Sequence, residues 1–388
     1  MRICLFDWNE GGHNPLYLRS FAAALLPGAE VVLAAPDAAL ARVDLDDVRR
    51  RPLGGQRPQP TAVKNQFSRA DGQLLDKSEA AAEELDLIAT VCDEVEPDHL
   101  VLMHADPVLR WLVDRPPFPF PHGICVFQAR AHYRSAYGTK LPLGERVRAR
   151  YQDHLVARWQ RKPDAHTVFA LDKIAAQRWS KRRGAAARWL PEPPIPVAVP
   201  ADLDEERSGC ILFGMLAPRK GLDLLADALS VDSAGFHVTV AGEVEPSYRE
   251  ELDSLLAKMR GHGVEVTDRT GRLSDEEVMR ALATARCAVL PYRFHAGTSR
   301  VLTEAAVVGT PVIAPDHGLI AHQVREYEIG LTVDPTDPAA LRSALFQIVK
   351  DPRGTDRYAA NLERYWHEHG GEAFRRAVRA TFELDDAA

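Results

Sequence analysis

The chain has 388 residues, a formal net charge of −7 and 27% charged residues. These are the proportions of a soluble globular protein, and the length suits two domains of ordinary size. No apolar run approaches the ~18–20 residues that span a bilayer, and the first seven residues lack the basic and apolar regions of a signal peptide, so a cytoplasmic protein is expected.

From the N-terminus, Arg2–Phe6 is a short apolar run that predicts a strand, and 16–26 has helical spacing. A second strand is predicted over 30–35. The stretch 49–76 is polar and carries Pro52, Gly54, Gly55, Pro58 and Pro60, which predicts a long surface loop. Helical periodicity returns over 75–95 and ends near Pro97. Strands are predicted over 99–103, 124–128 and 167–171. Five prolines in ten residues (Pro191, Pro193, Pro194, Pro196, Pro200) deny both helix and central strand and mark an interdomain linker.

The second half alternates more regularly. Strands are predicted over 210–214, 236–241, 264–267, 287–290, 311–314 and 330–333. Helices are predicted over 222–229, 249–259, 274–285 and 299–308. Ser274 and Glu277 have the spacing of a capping box. Such alternation argues for parallel sheets covered on both faces. The expected fold is α/β, with two Rossmann-like domains facing one another. The boundaries read as 1–192, a linker at 193–208, a second domain at 209–365, and a C-terminal segment 366–388 with a helical pattern over 372–384.

The five cysteines (Cys4, Cys92, Cys125, Cys210, Cys287) are scattered without a C-x-x-C pair, as expected of reduced core residues. Charge is uneven: between Lys140 and Arg188 there are thirteen basic residues against four acidic ones. A solvated helix face accounts for this, and so does an anionic acceptor or a membrane surface. No aromatic stacking platform alternates with the basic residues, and no nucleic-acid partner is expected.

In doubly wound sheets ligands bind beyond the C-terminal ends of the strands, so the turns after strands are the informative segments. After the strand ending at Phe213, Gly214 is followed by the cationic pair Arg219 and Lys220 ahead of a helix. Cations there oppose the helix dipole, and a diphosphate would offset that cost. After the strand at 287–290, Gly297, Thr298 and Ser299 open a helix whose first N–H groups form an anion site. Glu304 lies one turn beyond Arg300. It reads either as a simple i,i+4 ion pair or as a carboxylate accepting from two adjacent sugar hydroxyls. In the N-terminal half, His104, Asp106, Gln128, Arg130, His132 and Arg134 follow strands. His132 and Arg134 share an extended-looking segment whose period of two lets both point the same way. His104, Asp106 and Arg134 are read as acceptor-binding residues, and His132 as the group that assists proton transfer.

The ordered set Phe213-Gly…Arg219-Lys-Gly221, Val240-Ala-Gly-Glu243, Gly271-Arg-Leu-Ser274 and Gly297…Glu304-Ala…Gly309-Thr-Pro-Val-Ile-Ala314 resembles the retaining GT-B glycosyltransferases of family 4. The N-terminal Asp7…Gly11-Gly-His-Asn-Pro-Leu-Tyr17 also looks like that family's Gly-rich first turn. The resemblance implies a sugar transfer from a nucleotide diphospho-sugar to an acceptor hydroxyl, with retention and without a metal. No D-x-D motif follows a strand. UDP is expected over GDP as the nucleotide. By position, Lys220 and Arg219 would neutralise the diphosphate, and Gly214 would line that loop. Glu304 would bind the ribose, and Gly297, Thr298 and Ser299 would offer backbone N–H groups. Arg272 and Leu273, in the turn after Gly271, would meet the base. Gly12 and His13 would approach the donor from the opposite domain, and the last helix would cross back onto the N-terminal domain.

Two positions depart from that pattern. Ala296 stands where the family carries a second Glu; either His295 beside it substitutes, or that task is dropped. Met215 stands where the family tends to have Arg, with Arg219 nearby. Three other readings are weighed. A nicotinamide dehydrogenase would need G-x-G-x-x-G, which Gly11-Gly12 does not begin. A sugar-nucleotide epimerase of GT-B shape and a non-catalytic nucleotide-sugar binder share the motifs, and Ala296 motivates the second.

Overall fold

The computed structural model describes all residues except 11–13, 55–56, 62–65, 131–141, 196–205, 294, 296, 352 and 385–388. The chain divides into two compact units. The first comprises the chain up to Pro194 together with 371–384. The second runs from Ile195 to Gly370.

In the N-terminal unit the elements are β1 (Arg2–Phe6), α1 (Asn14–Leu25), β2 (Glu30–Pro36), α2 (Asp37–Leu40), β3 (Val48–Leu53), β4 (Gln59–Pro60), β5 (Gln66–Ser68), β6 (Leu74–Asp76), α3 (Lys77–Val95), β7 (His99–Leu102), α4 (Leu109–Leu112), β8 (His122–Val126), α5 (Leu143–Trp159), β9 (Ala165–Ala170), α6 (Lys173–Ser180) and β10 (Ala186–Trp189). Seven strands form a wholly parallel sheet in the order β10-β9-β8-β7-β1-β2-β3. Strand order reverses between β1 and β7, which makes their C-terminal ends the switch point of this unit. Alternate residues of β1 serve opposite faces: Cys4 and Phe6 join one core, Ile3 and Leu5 the other. A parallel sheet must be covered on both faces, and apolar runs such as Val31–Leu33 answer that need.

The stretch predicted as a surface loop over 49–76 contains strands instead. Val48–Leu53 pairs with β2 as the sheet's edge, and β4, β5 and β6 form a small antiparallel sheet. The edge position explains why three arginines and Pro52 are tolerated in β3, since one side of an edge strand needs no partner. Arg51 there meets Glu94 of α3 at 2.7 Å. The next helix starts on a capping box in which Asp76 accepts from Ser78 and Glu79 N–H groups and Glu79 accepts from Asp76 N–H.

The second unit contains β11 (Ser208–Phe213), a 3-10 turn (Pro218–Lys220), α7 (Leu222–Ala228), β12 (His237–Gly242), α8 (Arg249–Gly261), β13 (Glu265–Thr270), α9 (Asp275–Ala283), β14 (Ala285–Val289), α10 (Arg300–Val307), β15 (Val312–Pro315), α11 (Gly318–Tyr327), β16 (Gly330–Val333), α12 (Pro338–Val349) and α13 (Ala359–His369). Its six strands are parallel in the order β13-β12-β11-β14-β15-β16, so the switch point lies between β11 and β14. The Ser274–Glu277 capping box is present at the start of α9. All five cysteines are unpaired and buried. Among the described residues no helix is long and apolar enough to cross a membrane.

The last helix, α14 (Gly371–Thr381), belongs to the N-terminal unit. Phe374 packs edge-on against Tyr17 and Phe21 of α1, and Arg379 donates to the carbonyls of Ala24 and Leu26, at the C-terminal end of α1. Those carbonyls lack helical partners, so a guanidinium there is well placed. Phe374 is fully buried. Phe374→Ala is expected to cost about 3–5 kcal/mol through lost burial and the cavity left behind, read as a lower denaturant midpoint for the N-terminal unit.

Candidate functional site

The site in the second unit is built from the two loops flanking its switch point. β11 runs into Gly214 at φ 122°, and the neighbouring β12 ends in Gly242 at φ 117°. A Cβ on Gly242 would lie 2.2 Å from the Gly214 carbonyl oxygen, so the two strand ends approach as backbone on backbone. The 3-10 turn then delivers Arg219 and Lys220. Gly221, left-handed at φ 74°, closes the turn against the loop after β14, where a Cβ would come within 2.1 Å of the Pro291 carbonyl oxygen.

This closure places Lys220 between the two loops. Its Nζ donates to Tyr292 Oη at 2.7 Å and to the Phe213 carbonyl at 3.2 Å, and lies 4.6 Å from the Tyr292 ring centre. Lys220 is 7% exposed, and among the described residues no carboxylate pairs with it. A buried ammonium with only neutral oxygens and a ring face around it is costly unless another charge joins it. A Cβ on Gly214 would sit 2.7 Å from Nζ, so the glycine is the space the ammonium occupies. Arg219 is exposed beside it.

The second loop is fixed by an ion pair: Arg293 donates to both oxygens of Asp223 at the start of α7, at 2.9 and 2.5 Å. His317 Nε2 in turn donates to the Arg293 carbonyl. His295 donates from Nε2 to the Thr298 carbonyl at 2.8 Å, and its ring centre lies 5.1 Å from that of Tyr292. Burial, with Lys220 and Arg219 adding to it against the Thr298 bond, pushes the His295 imidazole down to about 4. Gly297 is left-handed at φ 93° and buried. Ser299 is the N-cap of α10 in extended conformation, and its side chain makes no capping bond. The first turn of α10 therefore offers N–H groups that no cap takes up. Glu304, 6% exposed, accepts from Arg300 Nε at 2.7 Å, which is the i,i+4 pair the spacing suggested.

Thus Gly214, Lys220, His295, Gly297, Thr298 and Ser299 surround one switch point, with Arg219 at its rim. Arg272 and Leu273 lie at the end of the edge strand β13, at the same edge of the sheet, where Gly271 N–H donates to the Gly242 carbonyl. Arg272 is exposed and Leu273 half-buried. Position 296 lies outside the described residues. Tyr292, which holds the ammonium, has no signal of its own in the sequence. Its role exists only once β11 and β14 are adjacent.

The N-terminal unit has a second polar cluster at its own switch point. Asp7 and Asn9 follow β1, and His104 and Asp106 follow β7. Asp106 accepts the N–H groups of Phe127 and Gln128 at 2.8 and 3.1 Å, bracing the end of β8. His104 Nε2 lies 3.8 Å from Asp106, and Nδ1 lies 3.1 Å from Asn9 Nδ2. Arg57 donates to Asn9 Oδ1 at 2.8 Å and to Glu84 at 2.7 Å. Burial raises Asp7 to about 6 against the Asn9 bonds and raises Glu84 despite Arg57. Asn9, Arg57 and Glu84 come from three separate segments, so no local motif marks them. Arg130 donates to Glu145 and Gln128. The expected residues Gly12, His13, His132 and Arg134 lie outside the described residues. Among the described residues no group of His, Cys, Asp or Glu could hold a metal ion.

Residues 207–351 match the family described as Glycosyl transferases group 1. The glycogen synthase of Mycobacterium tuberculosis is 30% identical over 178 residues, which is 45% of this chain and 40% of that protein. The phosphatidyl-myo-inositol mannosyltransferase of Mycobacterium leprae is 31% identical over 164 residues, 41% of this chain and 39% of that protein. The chain thus spans about two fifths of the length of the curated relatives it matches. Anabaena HepE, solved in complex with UDP-glucose, is 15% identical with a TM-score of 0.69, and the match covers 99% of both chains. The two parallel-sheet α/β domains therefore have GT-B glycosyltransferases as structural neighbours.

The half-buried His295 ring has a measurable consequence. Its folded value is depressed, so between about 6.5 and about 4 the unfolded chain binds more protons at this residue. Its contribution to stability is present above that window and is lost as pH falls through it. His295→Gln is expected to flatten the decline of the unfolding midpoint between pH 7 and pH 4. An unchanged slope would contradict the depressed imidazole.

Proposed function

We propose that the chain is a glycosyltransferase that moves a sugar from a nucleotide diphospho-sugar to an acceptor hydroxyl. The observation that carries the reading is the buried Lys220 ammonium, which has no carboxylate partner among the described residues, set beside the uncapped start of α10. A diphosphate supplies the charge this arrangement lacks. The match of residues 207–351 to a glycosyltransferase family supports the same reading.

In this reading Lys220 and Arg219 take the diphosphate with the N–H groups of Gly297, Thr298 and Ser299, and Gly214 lets the phosphates approach the backbone. Glu304 takes the ribose hydroxyls, and Arg300 orients its carboxylate. Arg272 and Leu273 meet the base, and His295 reads the sugar next to position 296. His104 and Asp106 belong to the acceptor side in the N-terminal unit. The acceptor oxygen bonds to the anomeric carbon as the bond from that carbon to the diphosphate oxygen breaks, and the proton of the acceptor hydroxyl passes to the departing diphosphate oxygen. The nucleoside diphosphate leaves, with its charge held by the two cations and the helix start in place of a metal. Retention follows from the resemblance to family 4, and the UDP-glucose complex of HepE supports UDP as the nucleotide.

Incubation with UDP-, GDP- and dTDP-sugars in the presence of candidate acceptors is expected to release UDP. Lys220→Ala should lower turnover ~100–1,000-fold, the range seen when one preorganised donor that stabilises developing negative charge is removed. Glu304→Gln should mainly raise the donor KM. Donor binding without release across acceptors would instead favour a nucleotide-sugar-binding protein.

The same proposal extends to an anionic surface met by the basic segment 140–188. On α5, Leu143, Val147 and Tyr151 are exposed four residues apart, with exposed Arg150 adjacent. Much of the remaining charge is paired: Arg148 with Glu145, Arg158 with Asp114, and Arg178 and Arg182 with Asp153. Co-sedimentation with vesicles is expected to rise with anionic lipid content and to fall for Leu143→Asp. Binding indifferent to lipid charge would remove the membrane contact.

A further inference from the structure

The polar cluster at the β1/β7 switch point has a directional logic that its individual residues do not show. Arg57 is a pure donor, because a guanidinium has no acceptor. Its Nη1 lies 2.8 Å from Asn9 Oδ1, so the Asn9 oxygen must face Arg57. The amide orientation follows from this bond alone. Asn9 Nδ2 is thereby turned towards Asp7 Oδ1 at 2.5 Å and towards His104 Nδ1 at 3.1 Å. The NH2 group has two hydrogens and two partners in reach. Its bond to the imidazole requires a lone pair on Nδ1. Arg57 is itself held by the 2.7 Å pair with Glu84 of α3, and both side chains are largely buried.

From this we infer that Arg57, acting through Asn9, fixes His104 as the Nε2–H tautomer, so that the N-terminal unit presents an imidazole hydrogen-bond donor to a ligand oxygen. Arg57 and Asn9 are positioning residues, and only His104 would touch the ligand. The groups facing the ring are Asn9 and Asp7 after β1, Asp106 after β7, Arg57 from the segment before β4, and Phe127 beyond β8, whose ring centre lies 5.2 Å away. Burial and Arg57 favour the neutral ring, and Asp106 opposes them. Asp106 does not reverse the tautomer. Both its oxygens already accept backbone N–H groups, and its 3.8 Å separation from Nε2 leaves that N–H directed to whatever enters.

This assignment rests on the proposed glycosyltransferase reading for what the donor would meet, a sugar or acceptor hydroxyl oxygen. It makes a second demand independent of that reading. Of the two neutral tautomers, only the Nε2–H form donates to a ligand oxygen at Nε2, and the Nδ1–H form would offer it a lone pair instead.

The test is nitrogen NMR on the full chain labelled at histidine, with the His104 signals identified by their loss in His104→Gln. Without any donor sugar present, the wild type is expected to show Nε2 as the protonated nitrogen and Nδ1 as the unprotonated one near neutral pH. Asn9→Asp is isosteric but removes the donor at Nδ1. It should move the proton to Nδ1 or leave a charged ring. Arg57→Lys keeps a donor to Asn9 and should restore most of the wild-type signature, whereas Arg57→Met should give mixed tautomers. Should Arg57→Met fail to fold, Asn9→Asp decides the matter alone. Wild-type protein with the proton on Nδ1, or Asn9→Asp with an unchanged signature, would overturn the inference. In a transfer assay Asn9→Asp should slow turnover roughly fivefold to tenfold, the worth of one hydrogen bond. If no sugar is transferred at all, the glycosyltransferase reading fails while the nitrogen signature still reports on the tautomer.

Discussion

The Lys220 ammonium lies inside the second unit with two neutral oxygens and an aromatic face as its neighbours. Burying an isolated charge is among the most expensive acts in folding, and a chain that does so must shape its backbone around it. Gly214 gives up its side chain to the space Nζ needs, Gly221 bends the turn left-handed against Pro291, and Gly242 lets β12 close on Gly214. Tyr292 is carried in by the loop after β14, which the bidentate Arg293–Asp223 pair ties to α7. The glycines, the tyrosine and the ion pair are separate in sequence and share one purpose: to hold a positive charge at the point where strand order reverses.

The N-terminal unit repeats the geometry with different chemistry. Its sheet also reverses order beside its first strand, and polar residues again gather at that point. Here the buried cation, Arg57, is paired with a buried acid, Glu84, and so carries no unmet charge. What it transmits is direction: a guanidinium that can only donate sets an amide, and the amide sets an imidazole. In the proposed reading one unit receives an anion and the other a neutral oxygen, a division that suits a donor carrying phosphates and an acceptor carrying hydroxyls.

Much of the second unit was legible because its central strands are buried on both faces and its helices carry local stop and start signals. The Ser274–Glu277 box, Gly309 and the apolar runs at 210–214 and 311–314 each act within a few residues of themselves. The pairing of Arg300 with Glu304 is likewise a matter of helical spacing. The stretch 49–76 was not legible, because β3 is a charged edge strand and β4–β6 are too short and polar for a period to register. Edge strands owe their existence to the neighbour they pair with, and β3 pairs with β2. The links from Lys220 to Tyr292 and from Asn9 to His104 span 72 and 95 positions, far beyond any local pattern.

The sequence by itself therefore determined the alternation of strand and helix, the placing of chemically active residues after strands, and the ordered motifs from Phe213 to Ala314. These depend on local sterics, burial periodicity and capping. Only the tertiary structure decided which of those residues act together. Parallel strands adjacent in a sheet are distant in the chain, so the company a side chain keeps at a switch point is set by strand order. That order set Lys220 beside Tyr292 and turned Asn9 towards His104.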